Sequence, residues 1–247
     1  MPLKLSIVIP AHNEQDGIRH TVCKAHEALV AASIEHEIVV VDDHSTDSTG
    51  EVLRALATEI PQLRLIINNA APGFGYAIRA GLRSFSGDAV CIVMADSSDD
   101  PDDIVTYYRC LEEGCECVFG TRFCRGSRVI DYPLHKLLIN RVANMFIQTM
   151  FGIRYNDVTN AFKCYRREVI QGISPILSCQ FNLTVELPLK AIVRGYSYTV
   201  VPINWYNRTT GISKLRIKEM GSRYLFIVLY IWLEKSLSRG DYVRHSE

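Results

Sequence analysis

The chain has 247 residues, enough to bury a full hydrophobic core as one large domain or two small lobes. Its composition, 48% hydrophobic and 22% charged, is that of a globular protein and excludes a disordered chain. The net charge is zero, but residues 1–121 hold 19 acidic and 8 basic side chains, whereas residues 122–247 hold 8 and 19. An acidic half suits a metal ion and a basic half suits phosphates or an anionic surface, with two oppositely charged solvated faces as the alternative.

The eight cysteines follow no pattern typical of a disulfide framework. Cys110, Cys115 and Cys117 have the spacing C-x4-C-x-C, which lacks the paired ligands of a structural zinc site. We therefore interpret the cysteines as reduced thiols and expect a cytoplasmic protein. Residues 1–9 lead into a strand without a signal-peptide pattern, which agrees with that expectation.

Residues 1–121 alternate short apolar runs with helical patterns. The apolar runs predict strands at 5–9, 37–41, 63–67, 88–94 and 117–120. The patterns between them predict helices at 15–32, at 73–84 and at 101–113, and one that is capped by Thr46 or Asp47 and continues to 59. This alternation predicts an α/β fold whose central sheet is mainly parallel, with helices on its faces and right-handed crossovers.

The regular alternation of predicted strands and helices ends at residue 121. We predict helices at 134–151, at 182–194 and from 214 onward, and strands at 161–165, 198–201 and 203–206. Pro202 interrupts the last two strands, so at least one of them is expected at a sheet edge. No repeat or linker separates the halves, and we expect residues 1–213 to pack as one domain, with 1–121 and 122–213 as its two halves.

The segment 214–247 is basic and apolar. Residues 224–233 are apolar all round, but ten residues fall short of the roughly 20 that span a bilayer. Basic side chains precede and follow this run: Lys214, Arg216, Lys218, Arg223, Lys235 and Arg239. The segment is interpreted either as a helix in a membrane interface or as a helix packed on the core or on a second subunit.

The stretch 90–101, VCIVMADSSDDP, is an apolar run that ends in acidic residues. Because ligands in open α/β sheets bind beyond the carboxyl ends of strands, Asp96 is expected at the mouth of a site. Pro101 at a first helical position and the acids just before it predict a capped helix. Capping explains the later acids but not Asp96, and Asp42-Asp43 follow another strand in the same way.

Several common site types are excluded. Gly73-x-Gly75 lacks the third glycine of a dinucleotide fingerprint and follows the third strand rather than the first. The chain has no G-x4-G-K-[ST] loop, no evident Ser–His–Asp order and no metal-ligand spacing among its seven histidines.

The ordered set of motifs resembles the family-2 glycosyltransferases. Residues 7–14, IVIPAHNE, resemble the opening P-x-x-N-E, residues 40–49 resemble V-D-D-x-S-x-D-x-T, and residues 94–96, MAD, stand where the family has D-A-D. Residues 120–122 (GTR), 157–163 (DVTNAFK) and 208–214 (RTTGISK) resemble the polyprenyl-phosphate sugar synthases of the dolichol-phosphate mannose type.

The resemblance implies a GT-A fold, a nucleotide-sugar donor such as GDP-mannose or a UDP-hexose, and a dolichyl or undecaprenyl phosphate acceptor. It implies a divalent cation, Mg²⁺ or Mn²⁺, a peripheral place on the cytoplasmic membrane face, and no nucleic-acid partner. Donor-binding positions are Pro10, Ala11, Glu14, Asp42, Asp43 and Ser213. Catalytic positions are Asp96, Arg122, Arg208 and Lys214; acceptor-phosphate positions are Arg122, Lys136 and Asn140; metal positions are Asp96, with Ser98 and Asp100 as helpers.

Three departures from the family pattern bear on the site. Met94 replaces the first acid of D-A-D, Ser98 stands where the mannose synthases have a metal-holding Gln, and His12 stands where a Tyr is common. Lys136 and Asn140 replace Arg and Ser, so that a bidentate fork is lost at 136.

The mechanism implied is in-line attack with inversion. A phosphate monoester has a second pKa of about 6 and is already an anionic nucleophile near neutral pH. Such a site requires positioning and charge compensation rather than a base. The alternatives are a family-2 enzyme that acts on a hydroxyl, for which Glu186 is the only acid in residues 181–189 to serve as base, and a nucleotide-sugar-binding protein that has lost catalysis.

Overall fold

The computed structural model describes residues 2–207 and 217–244, with the side chains of 217–220 left aside. The first half alternates as predicted: β1 Leu5–Ala11, α1 Ile18–Ala31, β2 His36–Asp42, α2 Thr49–Glu59, β3 Leu63–Ile67, α3 Phe74–Ser84, β4 Ala89–Ile92, α4 Pro101–Glu112 and β5 Cys117–Thr121. The second half continues with β6 Arg128–Ile130, α5 Leu134–Phe151, β7 Lys163–Arg166, α6 Arg167–Gly172, α7 Leu183–Val193, β8 Tyr198–Pro202, β9 Asn204–Tyr206 and α8 Ile217–Leu237.

Most predicted elements are confirmed, with differences at their ends. β1 continues through Pro10 to Ala11, because the proline still pairs in register with Val41 of β2. Helix α2 begins at Thr49 with Ser48 at the N-cap position, and Asp47, one of the two predicted capping residues, accepts the N–H of Thr49 at 3.0 Å. β6 and α6 were not predicted, since three- and six-residue elements are too short to show a periodicity.

The main sheet has seven strands in the order β3-β2-β1-β4-β7-β5-β8. All neighbouring pairs are parallel except those of β7, which runs antiparallel to both β4 and β5. β8 lies at the sheet edge, as Pro202 predicted, and β9 pairs with β6 in a separate two-stranded sheet. The antiparallel insertion brings residues just before β7 to the edge where the parallel strands end.

Helices cover both faces of the sheet, and successive residues of each strand point to opposite faces. Val8 and Val39 pack into one core layer with α3, α7 and α8, while Ile7 and Ile38 pack into the other with α1, α2 and α4. The mainly parallel α/β architecture predicted from the sequence is confirmed. In the described ranges, no helix combines the length and apolarity that a membrane span requires.

Candidate active site

A cavity of about 960 Å³ opens at the edge where β1, β2, β4 and β5 end. Its walls come from the carboxyl ends of these strands, from α5 and α8, and from the segments before β7 and after β9. It therefore lies where ligands of open α/β sheets bind.

Most of the predicted site residues line this one cavity. Those that do so are Pro10, Ala11, Glu14, Asp43, Asp96, Ser98, Arg122, Lys136 and Asn140. Asp42 and Asp100 are not among its lining residues. The predictions for Arg208, Ser213 and Lys214 concern positions outside the described residues.

Asp43, rather than Asp42, lines the cavity at the ends of β1 and β2. The carboxylate of Asp43 accepts hydrogen bonds from Asn68 Nδ2 at 2.7 Å and from the N–H of Gly73 at 2.9 Å. Asp42 instead accepts the N–H of Ser45 at 3.0 Å and stays buried at the end of β2. Two adjacent acids alternate in direction on an extended chain, so only one of them faces the cavity.

His12 lines the same end, where sequence comparison had marked only a departure from the family. Its Nδ1 lies 2.6 Å from the carbonyl oxygen of Asp43. Because a carbonyl only accepts, Nδ1 carries the proton in this contact. The ring is thereby held against the end of β2.

The turn after β4 carries the acids that sequence analysis singled out. Asp96 Oδ1 accepts the N–H of Ser98 at 3.2 Å, and Ser97 has a left-handed φ of 57°. Asp99 also lines the cavity, and its Oδ2 accepts the N–H of Met94 at 2.9 Å. Burial, together with the nearby charge of Asp96, raises the pKa of Asp99 to about 7.

Asp100 is the residue that caps α4. Its Oδ1 accepts the N–H of Asp102 at 3.1 Å, with Pro101 at the first helical position, as predicted. Its Oδ2 accepts Asn204 Nδ2 at 3.0 Å. Asp99 was assigned to helix capping as well, but it belongs to the cavity wall.

Arg122 follows β5 directly and is nearly buried. Its Nε and Nη2 donate to the two carboxylate oxygens of Asp157, each at 2.8 Å, and its backbone N–H donates to the same carboxylate. Burial lowers the pKa of the guanidinium, but the charge and hydrogen bonds of Asp157 outweigh burial and raise it. This bidentate pair fixes the orientation of the guanidinium.

Aromatic rings surround the Arg122 guanidinium. Its central carbon lies 5.4 Å from the ring centres of Phe123 and Tyr132 and 5.9 Å from that of Trp205. Tyr132 and Trp205 also line the cavity, and sequence reasoning missed both of them. Such rings stabilise a cation that is partly shielded from water.

The motif 157–163 also supplies Thr159 and Lys163 to this region. Asn140 of α5 donates to Thr159 Oγ1 at 2.7 Å, so that helix α5 and the motif form one wall. Lys163 is buried and donates to the carbonyls of Val158, Asn160 and Thr184. Burial lowers its pKa to about 7.

The acidic and basic side chains that line the cavity come from different halves of the chain. The acids that line it are Glu14, Asp43, Asp96 and Asp99. The described lining residues from 122 onward include Arg122 and Lys136 but no Asp or Glu. The opposite charges of the two halves therefore meet within one site.

Glu186, the residue that a hydroxyl acceptor would need as a base, lies outside the cavity. Its buried carboxylate accepts the N–H groups of Leu177 and Ser178 at 2.7 and 2.6 Å and pairs with Lys190 at 2.7 Å. These contacts tie the loop before α7 to that helix.

The same loop lies so close to the start of α3 that it leaves no room for a side chain at Gly73 or Gly75. A Cβ on Gly75 would lie 2.5 Å from the carbonyl carbon of Cys179 and 2.7 Å from the Ser178 carbonyl oxygen. Any larger residue at 75 would displace backbone. Phe74 then stacks on Phe181 at 4.4 Å between ring centres, and both rings line the cavity.

The acids that line the cavity bear on the binding of a divalent cation. Within 2–207 and 217–244, no three His, Cys, Asp or Glu side chains converge as a metal cluster. Asp96 and the Ser98 hydroxyl nevertheless offer hard oxygens in the cavity. Mg²⁺ is commonly held by one or two carboxylates together with substrate phosphates, and these residues fit that mode of binding.

Comparison with known proteins agrees with this geometry. The model of the family described as "Glycosyl transferase family 2" matches residues 6–173. The chain belongs to glycosyltransferase family 2. The family predicted from the motifs is thus confirmed, and the chain is a glycosyltransferase.

Two curated members of the family are similar over most of this chain. A polyprenol monophosphomannose synthase of Mycolicibacterium smegmatis is 30% identical over 85% of this chain and 80% of its own length. A dolichol-phosphate mannosyltransferase of Pyrococcus furiosus is also 30% identical, over 87% of this chain. This chain spans 60% of the length of that archaeal enzyme.

Solved structures of a glucosyl-3-phosphoglycerate synthase share the fold. Glucosyl-3-phosphoglycerate synthase from Mycobacterium tuberculosis in complex with UDP has a TM-score of 0.68 and 20% identity, over 94% of this chain and 80% of that one. The same enzyme with Mn²⁺, UDP and glucosyl-3-phosphoglycerate has a TM-score of 0.69 and 20% identity, over 99% and 82%. The predicted GT-A-like fold is confirmed.

Proposed function

We propose that this glycosyltransferase moves a sugar from a nucleoside-diphosphate sugar to the phosphate of a polyprenyl phosphate. The observation that carries the proposal lies at the acceptor end, by which we mean the part of the cavity lined by residues from 122 onward: Arg122 and Lys136 line it, and none of its described lining residues is a carboxylate. A hydroxyl acceptor needs a base, whereas an anionic phosphate needs cationic partners instead. The names of the two curated relatives support the same acceptor.

Arg122 and Lys136 would hold the acceptor phosphate and offset its repulsion from the donor diphosphate. Asp157 occupies Nε and Nη2 of Arg122 and thereby fixes the plane of the guanidinium. Asn140, tied to Thr159, would donate to a remaining phosphate oxygen. The phosphate oxygen then attacks the anomeric carbon in line, so that the sugar's configuration inverts and the nucleoside diphosphate leaves.

The donor would bind between the ends of β1 and β2 and the turn that follows β4. Pro10, Ala11, Glu14 and Asp43 would contact the nucleoside, and Asp42 would support them from behind. Asp96 and Ser98 would hold the divalent cation, which stabilises the charge of the leaving diphosphate when bound. Asp100 is assigned to the helix cap, because both of its oxygens accept hydrogen bonds there.

Arg208, Ser213 and Lys214 complete the proposal as cationic and polar partners of the donor phosphates. The chain enters their segment from Asn207, which lines the cavity and donates its N–H to the carbonyl of Ile130 at 3.2 Å. Arginine and lysine near a leaving diphosphate act by charge stabilisation.

An apolar face extends from the acceptor end and would rest on a membrane surface. It consists of exposed apolar side chains of α5 and α8: Leu134, Leu138, Val142, Met145, Phe226, Leu229, Leu233 and Leu237. Ile139 and Phe146 of α5 and Leu225 and Val228 of α8 line the cavity beneath it. A polyprenyl chain would pass between the two helices while its phosphate reaches Arg122, and this places the enzyme peripherally on the membrane face that holds its acceptor.

The deciding experiment offers the purified chain a panel of GDP- and UDP-sugars with polyprenyl phosphate and either Mg²⁺ or Mn²⁺. The expected product carries the sugar on the lipid phosphate, with inverted anomeric configuration, and Asp96→Ala is expected to abolish its formation. Transfer only to hydroxyl acceptors would refute the proposed acceptor. Donor binding without any transfer would favour a protein that has lost catalysis, and full turnover by Asp96→Ala would remove the metal role.

A further inference from the structure

The acids at the start of α4 contact strand β9, a role that the proposed transfer does not use. Asn204 Nδ2 donates to Asp100 Oδ2 at 3.0 Å, and the Asn204 N–H donates to Asp103 Oδ2 at 2.8 Å. The N–H of Tyr206 donates to the Ser98 carbonyl at 3.0 Å. Asp99 and Trp205 form an antiparallel bridge between these contacts. The acidic turn, residues 96–103, is thus joined to β9 along the whole strand.

β9 contacts the acceptor end through its other edge. It pairs in parallel with β6, which leads through Tyr132 and Pro133 into α5. The Trp205 ring lies 4.9 Å from that of Tyr132, and both lie close to the Arg122 guanidinium. One short strand therefore connects the turn that carries Asp96 with the residues that surround Arg122.

Asn204 is suited to this junction by its two donors. Asp100 and Asp103 belong to the same helical turn, and their like charges repel each other. The amide and the backbone N–H of Asn204 each satisfy one of the two carboxylates. An alanine would keep the backbone bond to Asp103 and lose the bond to Asp100.

We propose that β9 is a spacer that sets the distance between the donor diphosphate and the acceptor phosphate, with Asn204 as its positioning residue. The inference rests on the proposed function, in which the diphosphate lies by Asp96 and the nucleophile by Arg122. In-line attack demands reacting atoms about 3–3.5 Å apart, and a misplacement of about 1 Å can cost 10²-fold in rate. Asp100 and Asp103 maintain this distance through the hydrogen bonds that they accept from Asn204.

The test compares Asn204→Ala with the wild type in three measurements. The kcat of sugar transfer is expected to fall at least tenfold, while the Kd for the nucleoside diphosphate with Mg²⁺ changes less than twofold and the protein remains folded. The exchange Asp100→Asn with Asn204→Asp restores the hydrogen bond in the opposite direction, since Asn caps helices as well as Asp. It is expected to recover most of the lost kcat.

Ser197→Ala is the matched control, because Ser197 Oγ donates to Glu116 at 2.8 Å at the opposite end of the sheet. It removes one side-chain hydrogen bond and is expected to leave kcat unchanged. Three results would each overturn the proposal that β9 is a spacer. They are an unchanged kcat in Asn204→Ala, a loss of nucleotide affinity as large as the loss of kcat, and no recovery of kcat in the exchanged pair. If Asn204→Ala does not fold, Asn204→Ser is measured instead, because serine is too short to reach Asp100. A wild type that forms no lipid-linked sugar overturns the proposed function itself, a result distinct from these.

Discussion

At the scale of single residues, Arg122 is the side chain on which the proposed acceptor site depends. A buried guanidinium needs a partner, and Asp157 supplies two parallel hydrogen bonds that an Arg fork matches and a Lys ammonium does not. The raised pKa of Arg122 keeps the group charged over the whole working pH range. Its charge is therefore constant, and its orientation is set by Asp157.

Arg122→Lys is expected to keep a positive charge but lose the fork. We expect kcat/KM for polyprenyl phosphate to fall by about 10²-fold, the loss typical of one misdirected transition-state donor. Steady-state kinetics at varied acceptor concentration measures it. Arg19→Lys serves as control, since Arg19 forms an exposed pair with Glu59 far from the cavity. Equal kinetics in Arg122→Lys and wild type would show that charge alone suffices.

Glu37 predicts a dependence of stability on pH. Burial raises the pKa of its carboxyl, but hydrogen bonds from Ser86, Ser6 and Arg64 together lower it to about 2. Because the folded pKa lies below the unfolded value of about 4.5, the stabilisation is complete above pH 4.5 and is lost as pH falls towards 2. The free energy of unfolding, measured with denaturant from pH 5 to pH 2, is expected to fall as the pH falls. Glu37→Gln is expected to reduce the slope of this dependence.

At the scale of elements, α8 contributes to the core with one side and exposes the other. Ile227, Val228 and Ile231 are buried, and Glu234 pairs with Arg194 at the end of α7 through two hydrogen bonds of 2.8 and 3.0 Å. The sequence left open whether this helix packs on the core or faces a membrane. The structure shows the packing on the core, and the exposed side is left for the proposed membrane contact.

Glu234→Gln is expected to destabilise the protein strongly. Removing one partner of a buried ion pair leaves Arg194 uncompensated, at a cost of about 3–5 kcal/mol in the free energy of unfolding. Urea unfolding at neutral pH measures the change. Glu59→Gln is the control, because its pair with Arg19 is exposed to solvent and the change is expected to leave the free energy of unfolding nearly unaltered. A loss below 1 kcal/mol in Glu234→Gln would contradict the assigned importance of the pair.

The sequence predicted the parts of the fold and site that depend on local pattern. Local periodicity and turn chemistry predicted the acids at the strand ends, the helix cap before Pro101 and helix α5. The antiparallel direction of β7, the partnership of Arg122 with Asp157 and the position of Trp205 depend on pairing between distant segments. No pattern in one sequence encodes such pairings, so only the structure supplies them.

At the scale of the whole molecule, charge and apolar surface are segregated. The half up to residue 121 carries a net charge of −11 (8 − 19) and the remainder +11 (19 − 8). The apolar face of α5 and α8 belongs to the basic half, and Arg223 and Lys235 flank it on α8. Apolar burial together with attraction to anionic lipids is the combination that holds a peripheral protein on a membrane.

The full chain is expected to bind vesicles that contain phosphatidylglycerol, and Leu138→Glu with Leu229→Glu is expected to weaken binding at least tenfold. Each change places a carboxylate on the apolar face, where it meets both a low dielectric and anionic headgroups. Val30→Glu is the control, because Val30 is an apolar residue of α1 whose exposure, 54%, lies between the 67% of Leu138 and the 42% of Leu229. Vesicle flotation measures binding, and sedimentation of the same proteins detects self-association. Unchanged flotation together with loss of a dimer in the double variant would assign the face to a second copy of the chain instead of a membrane.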